Sequence, residues 1–318
     1  MKLGFVYAGQ GSQKVGMGKD FYDSYDTFKE TFDGADEIVT NKTKCSIKSL
    51  CFDGPEDKLS ETRYTQPAMV SYAIGVTKLL QNKGISPDYV CGLSLGEYSA
   101  LYAAGVLDEK TVLDIVAIRG KVMSEASAGK PVKMAAILNT TRNTVIDCCK
   151  QATEEFDGLK IVEAANFNCP GQIVISGDEE AVDRASELLT EAGARRILPL
   201  KVSGPFHTSL MKPAGDKLRA ELDKISFAEA RARVIFNCLG REMEPTDNIA
   251  NLLERQVQSS VYLEDSIRYM AEAGVDTIVE IGPGNVIGKF IKKTAPEIKV
   301  ISIDTVEDYE AAVKELTA

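Results

Sequence analysis

The chain has 318 residues, 44% of them hydrophobic, which is enough to build a buried core and more than one domain. Its formal net charge of −10, from 37 Lys and Arg against 47 Asp and Glu, argues against nonspecific nucleic-acid binding. No stretch approaches the ~18 apolar residues of a membrane span and no signal peptide is recognisable. We therefore expect a cytoplasmic protein that binds neither nucleic acid nor membranes.

Short apolar runs alternate with amphipathic helical stretches, a pattern typical of an α/β domain with a mainly parallel sheet. In chain order, the pattern predicts a strand at Leu3–Tyr7, a helix at Met69–Leu80, a strand ending at Val90–Cys91, helices at Leu95–Ala104 and Thr111–Ser127, and later strands at Ile278–Glu280 and Val300–Ile303.

The middle of the chain has a different order of elements. It predicts a strand at Met134–Leu138, a helix at Asn143–Phe156, strands at Ile161–Ala165 and Gln172–Ser176, a helix at Glu179–Ala192 and a strand at Arg195–Leu200. This β-α-β-β-α-β order is the ferredoxin-like pattern. We therefore expect a small inserted domain at 128–199, and a large domain formed by 1–127 and 200–318.

The segment Gly92-Leu93-Ser94-Leu95-Gly96 is a G-x-S-x-G motif between a predicted strand and a predicted helix. In that context the motif forms a sharp turn that exposes the serine hydroxyl as a nucleophile. The following N–H, of Leu95, is then placed to stabilise an oxyanion. The alternative is a glycine-rich turn in which Ser94 only caps the helix.

A serine nucleophile needs a base, and histidine is the usual one. The chain contains a single histidine, His207, in a loop after Gly204-Pro205-Phe206. If the Ser–His mechanism holds, His207 is the base. The alternative is a histidine that is structural or merely exposed. No acidic residue flanks it closely, so its orienting acceptor is either a distant Asp or a backbone carbonyl.

Several further motifs occur along the chain in a fixed order. They are Gly9-Gln10-Gly11-Ser12-Gln13, Thr65-Gln66-Pro67-Ala68, Gly92-Leu93-Ser94-Leu95-Gly96-Glu97-Tyr98, Arg119-Gly120-Lys121, Asn166-Phe167-Asn168, Pro170-Gly171-Gln172, Pro205-Phe206-His207 and Glu280-Ile281-Gly282-Pro283-Gly284. In this order they resemble the malonyl-CoA:acyl carrier protein transacylases of fatty-acid synthesis and the acyltransferase domains of polyketide synthases. That family combines a hydrolase-like domain with a ferredoxin-like insertion, in agreement with the fold expected above.

The resemblance implies the catalytic roles. Ser94 forms the acyl-enzyme and His207 is its base. The backbone N–H groups of Gln10 and Leu95 form the oxyanion hole. The main-chain carbonyl of Gln256 orients the histidine, so that a triad Asp is not needed.

The resemblance also implies the substrate. Arg119 binds the free malonyl carboxylate, which suits a planar guanidinium that can donate two parallel hydrogen bonds. Phe206 fills the space that an α-methyl group would need, so malonyl is preferred over methylmalonyl. Asn166 and Gln66 also belong to the substrate site. The chain departs from the family at Leu93, where a His is usual. That His is not the base, so the departure concerns either the polarity of the pocket or the fit of the malonyl carboxylate.

The implied partners are malonyl-CoA and an acidic acyl carrier protein, with no metal or other cofactor, and the protein is expected to be a monomer. A carrier would need a basic docking patch, for which the sequence offers Lys130, Lys133, Arg195, Arg196 and Lys201. The alternative is that these are scattered solvated charges. Two other functions remain open, a serine hydrolase and a non-catalytic scaffold that binds a carrier protein.

Overall fold

The computed structural model describes residues 1–200 and 204–318. The strands found there are β1 Leu3–Tyr7, β2 Tyr89–Gly92, β3 Val132–Leu138, β4 Val162–Cys169, β5 Gln172–Asp178, β6 Arg196–Pro199, β7 Arg233–Val234, β8 Val261–Tyr262, β9 Thr277–Ile281 and β10 Lys299–Ile303.

The helices of the same residues surround these strands. They are α1 Lys19–Ser24, α2 Asp26–Thr43, α3 Ile47–Asp53, α4 Glu56–Leu59, α5 Thr62–Asn82, α6 Gly96–Ala103, α7 Glu109–Ser127, α8 Arg142–Glu155, α9 Glu179–Glu191, α10 Lys212–Leu222, α11 Ile249–Gln258, α12 Leu263–Glu272, α13 Val286–Thr294 and α14 Val306–Leu316. A short 3₁₀ turn, Ser209–Met211, precedes α10.

The larger sheet has the strand order β10-β9-β1-β2-β7, and every pair in it is parallel. All five residues of the central strand β1 are buried, as expected for a parallel strand covered on both faces. Tyr7 and Gly92 are partners at the carboxyl ends of β1 and β2. Ligand sites of open α/β sheets lie at this edge, and the G-x-S-x-G turn begins there.

The smaller sheet has the order β6-β3-β5-β4-β8. Its first four strands are antiparallel neighbours in the ferredoxin-like arrangement, with α8 and α9 as the two helices. The predicted fold class is therefore confirmed. A strand from the later part of the chain, β8, adds to the sheet parallel to β4. The proposed domain boundaries stay a prediction.

Two elements extend beyond the sequence prediction. Helix α5 begins at Thr62 and contains Pro67, although proline removes an N–H donor and disfavours a helix interior. Most of α5 is buried, and this burial outweighs the local preference of one residue. Strand β4 continues to Cys169 through Asn166 and Asn168, whose polar side chains hide the strand pattern in the sequence.

No helix of the described residues is both long enough and apolar enough to cross a membrane.

Candidate active site

Ser94 lies in the tight turn between β2 and α6, with a φ of 51° that L-residues rarely adopt. The two flanking glycines are required by close packing. A Cβ at Gly92 would come 2.0 Å from the carbonyl carbon of Gly96, and a Cβ at Gly96 would come 2.2 Å from the carbonyl oxygen of Tyr7. The turn is therefore held against the end of β1, and it has the geometry that a nucleophile elbow requires.

His207 lies beside the serine. Its Nε2 is 2.8 Å from Oγ of Ser94, and its Nδ1 is 2.8 Å from the main-chain carbonyl oxygen of Gln256. Because a carbonyl oxygen can only accept, Nδ1 carries the proton and Nε2 of the neutral ring accepts from the Ser94 hydroxyl. This is the tautomer in which a histidine can take a proton from serine.

The pKa of His207 is lowered from 6.5 to about 4. Burial is the larger cause, since only 4% of the residue is exposed, and the positive charge of Arg119 adds to it. Hydrogen bonds to the backbone oppose the shift. The imidazole is therefore neutral, and available as a base, at any pH above about 5.

Arg119, on α7, reaches the same point from the other side. Its Nη2 donates to Oγ of Ser94 at 3.1 Å and to Oε1 of Gln256 at 3.0 Å. The residue is 1% exposed, and its guanidinium lies 5.3 Å from the ring centre of Tyr98. Among the described residues no carboxylate forms an ion pair with it, and its Nε has no hydrogen-bond partner. The site thus holds a buried cation whose contacts are neutral.

Gln256 is fully buried near the end of α11 and contacts three parts of the site. Its carbonyl oxygen accepts from His207, its Oε1 accepts from Arg119, and its Nε2 donates to the carbonyl oxygen of Ser94 at 2.8 Å. Of these three contacts, only that of the main-chain carbonyl was predicted from the sequence.

Two residues that sequence reasoning missed support the serine turn. The Asn237 side chain accepts from the Ser94 N–H at 2.6 Å and donates to the Gly92 carbonyl at 2.7 Å. The Asn237 N–H in turn donates to the buried carboxyl of Glu97 at 2.5 Å. Burial raises the pKa of Glu97 to about 8. The available signal was an acidic residue in the first turn of an otherwise apolar helix.

The two N–H groups predicted for the oxyanion hole both lie close to the turn. Leu95 directly follows Ser94 in the chain. Gln10 is preceded by Gly9, which packs against the turn: a Cβ at Gly9 would lie 2.5 Å from the carbonyl oxygen of Leu93. Neither N–H has a hydrogen-bond partner among the residues that the structure describes. The side chain of Gln10 donates to Oγ1 of Thr62 at 2.9 Å.

The other predicted substrate residues lie in the walls. Phe206 precedes the histidine and is 6% exposed. Gln66, on α5, donates to Sδ of Met123 at 3.4 Å, one turn after Arg119 on α7, while its own Oε1 is buried without a partner in the described part of the chain. Asn166 lies on β4 opposite Val261. The structure records no hydrogen bond from Gln66 or Asn166 to Ser94 or His207.

The residues of the predicted docking patch differ in whether their charges are exposed or already paired. Lys130, Arg195 and Arg196 are exposed, and Lys130 lines a surface cavity of about 560 Å³ with Thr62. Lys133 forms an ion pair with Asp183. Lys201 lies outside the described residues.

Comparison with known proteins places this chain in a family. Residues 4–313 match the family model described as the acyl transferase domain. A malonyl CoA-acyl carrier protein transacylase of Bacillus subtilis is 42% identical, over 99% of this chain and 97% of that protein. The chain belongs to the malonyl-CoA–acyl carrier protein transacylase family of acyl transferases. The resemblance inferred from the motifs is thereby confirmed.

Solved structures of the family have the same fold. The crystal structure of MCAT from Streptococcus pneumoniae has a TM-score of 0.92 and 44% identity, covering 99% of this chain and 100% of that one. A second is a holo complex of a type II polyketide synthase acyl-carrier protein with its malonyl-transacylase. It has a TM-score of 0.93 and 34% identity, covering 99% of this chain and 100% of that one. A transacylase of this fold thus binds a carrier protein.

Proposed function

We propose that this protein transfers a malonyl group from malonyl-CoA to the phosphopantetheine thiol of an acyl carrier protein, through a malonyl ester on Ser94, in fatty-acid biosynthesis. Relatives that match almost the whole chain are named malonyl CoA-acyl carrier protein transacylases, which supports this proposal. The pairing of an accessible strained serine with a neutral histidine supplies the chemistry, and the buried arginine supplies the substrate preference.

In the first half-reaction, Oγ of Ser94 attacks the thioester carbonyl carbon while its proton moves to Nε2 of His207. The N–H groups of Gln10 and Leu95 stabilise the oxyanion. The carbon–sulfur bond then breaks, and His207 returns the proton to the coenzyme A thiolate. The 2.8 Å distance between Oγ of Ser94 and Nε2 of His207, with Nδ1 bonded to the Gln256 carbonyl, supports this order of proton transfers.

In the second half-reaction, the roles reverse. His207 takes the proton of the phosphopantetheine thiol, the thiolate attacks the Ser94 ester, and the serine oxygen leaves and is reprotonated. This is covalent ping-pong catalysis. A thioester is consumed and a thioester is formed, so the step needs no metal, redox cofactor or external energy source, and we propose that the protein has none.

The buried charge of Arg119 carries the assignment to malonyl. A buried guanidinium without a carboxylate partner is costly, because its charge is not compensated. Malonyl brings a carboxylate to within reach of the ester carbon, and acetyl does not. An esterase or thioesterase for uncharged acyl groups would have no carboxylate to pair with a buried cation that lies 3.1 Å from its nucleophile.

One labelling experiment tests the function against its two rivals. The protein is incubated with malonyl-CoA labelled in the malonyl group, with Ser94→Ala as the control, and then receives acyl carrier protein or buffer. We expect label on Ser94 that moves to the carrier and persists in buffer. Rapid release of label to water would instead indicate a hydrolase, and absence of label would indicate a scaffold.

We further propose that the protein acts as a cytoplasmic monomer with malonyl-CoA and an acyl carrier protein as its partners. Sedimentation of the purified chain, alone and with carrier protein, tests the monomer.

A further inference from the structure

The side chain of Gln256 makes contacts that its main-chain role does not explain. Its amide donates through Nε2 to the Ser94 carbonyl at 2.8 Å and accepts through Oε1 from Arg119 at 3.0 Å. Because the nitrogen must face the carbonyl, the oxygen must face the guanidinium. Arg119 in turn donates to Oγ of the same serine at 3.1 Å. The three residues therefore form a closed ring of hydrogen bonds.

We infer that the Gln256 side chain is a positioning residue for substrate selection, which holds Arg119 in place for the malonyl carboxylate without neutralising it. The inference rests on the function proposed above. The inference goes beyond the proposed function, because it gives the side-chain amide of Gln256 a part in substrate selection that is separate from the role of its backbone carbonyl in orienting His207.

A neutral amide suits this task better than a carboxylate would. Oε1 satisfies one hydrogen of the buried Nη2 and fixes the guanidinium relative to the turn, yet it leaves the full positive charge for a substrate. A carboxylate in its place would form an ion pair with Arg119 and compete with malonyl. In the described residues the guanidinium has no such ion pair. Burial lowers the pKa of Arg119, and nearby Tyr98 and Glu97 only partly oppose that shift.

The ring also accounts for how Arg119 becomes available when the ester forms. Nη2 of Arg119 directs one hydrogen at Oγ of Ser94 and one at Oε1 of Gln256. Acylation turns the serine oxygen into an ester oxygen, which is a poorer acceptor than a hydroxyl. The first hydrogen is then released to the substrate carboxylate, while Gln256 keeps the second and holds the guanidinium in position.

The main-chain and side-chain roles can be separated by mutation, because substitution removes the amide and keeps the backbone carbonyl that accepts from His207. Gln256→Met preserves the volume of the side chain and removes both polar ends, and Gln256→Ala is the second variant. Gln258→Met and Gln258→Ala are matched controls on the same helix. The Gln258 amide lies outside the site: it packs against Gly215, and its one recorded hydrogen bond in the described residues goes to the partly exposed Glu254 at 3.3 Å.

The measurement is kcat/KM for malonyl-CoA and for acetyl-CoA with one carrier protein. For both Gln256 variants we expect the malonyl value to fall about tenfold or more, the size of a lost hydrogen bond to a charged group, and the acetyl value to fall less than about threefold. The ratio of the two therefore falls, which loss of folded protein alone cannot produce. The Gln258 variants should keep the wild-type ratio.

Two outcomes would overturn the inference while leaving the proposed function intact. One is an equal fall for both substrates in the Gln256 variants, which would make the amide a general support of the turn. The other is an unchanged malonyl rate. Wild-type protein that transfers no malonyl at all would instead overturn the proposed function, and this inference with it.

Discussion

Replacement of Arg119 by Ala is the most direct test of why the site would select malonyl. In the variant the malonyl carboxylate would enter a buried position without a cation. Truncating one partner of a buried, hydrogen-bonded charge pair costs about 2–5 kcal/mol. That corresponds to a fall in kcat/KM of roughly 30-fold to several-thousand-fold for malonyl-CoA. Acetyl-CoA has no carboxylate to strand, so its slow transfer should change by less than about tenfold.

The assay is transfer of labelled malonyl or acetyl from coenzyme A to carrier protein, measured over a range of pH. Lys121→Ala is a matched control. Lys121 lies on the same helix but is exposed, and its ion pair with Glu125 is a long surface contact of 3.9 Å. The positive charge of Arg119 contributes to the low pKa of His207. Its removal should therefore raise that pKa and shift the acid limb of kcat/KM for acetyl-CoA to higher pH.

Equal loss of malonyl and acetyl transfer in Arg119→Ala would refute this reasoning, provided that its circular dichroism and melting temperature match the wild type. It would show that the arginine supports the nucleophile or the fold, and not the substrate carboxylate. A malonyl rate within a few-fold of wild type would refute it equally, since the carboxylate would then have another partner.

Three further predictions address other parts of the site. Phe206→Ser should raise the rate of methylmalonyl transfer relative to malonyl if the buried Phe206 ring has the proposed role of excluding an α-methyl group; an unchanged ratio counts against this role. Glu97→Gln should flatten the fall in unfolding free energy between pH 6.5 and 8, where a folded-state pKa of about 8 makes stability drop by up to about 1.4 kcal/mol per pH unit. His207, with its lowered pKa, acts in the opposite direction, and its effect on the unfolding free energy fades as the pH rises above about 6.5. Reversing Arg195 and Arg196 to Glu should raise KM for the carrier protein and spare malonyl-CoA, whereas a raised KM for malonyl-CoA alone would assign them to the coenzyme instead.

The sequence predicted the fold well wherever the signal was local. The elbow segment shows this, since a strand, two closely spaced glycines and a helix are each dictated by a few adjacent residues. The strand β8 shows the opposite. It has two residues and pairs with β4, about a hundred residues earlier, through the register of Val261 with Asn166. No periodic pattern fits into two residues, so only the assembled fold reveals the pairing.

The candidate site divides in the same way. Ser94 and His207 could be predicted because one lies in a motif and the other is the only histidine. Asn237 could not be predicted, because an isolated asparagine belongs to no motif. It is 143 positions from Ser94 in the sequence, and only the fold brings its Oδ1 to 2.6 Å from the Ser94 backbone nitrogen. The Gln256 amide was hidden for a related reason: the backbone carbonyl is a role that any residue type can fill, so the choice of glutamine carried no visible meaning.

The contacts of Arg119 indicate that substrate selectivity and the stability of the folded protein oppose each other at this site. A buried arginine that is bonded to a hydroxyl and an amide keeps its charge for the substrate, but the folded protein bears the cost of that charge until a carboxylate arrives. Filling the site with a carboxylate side chain would stabilise the free protein and block the substrate. In the proposed pairing of the malonyl carboxylate with Arg119, binding removes this cost, so malonyl-CoA should raise the melting temperature of Ser94→Ala more than acetyl-CoA does at equal saturation. In a variant that also lacks Arg119, this difference should disappear.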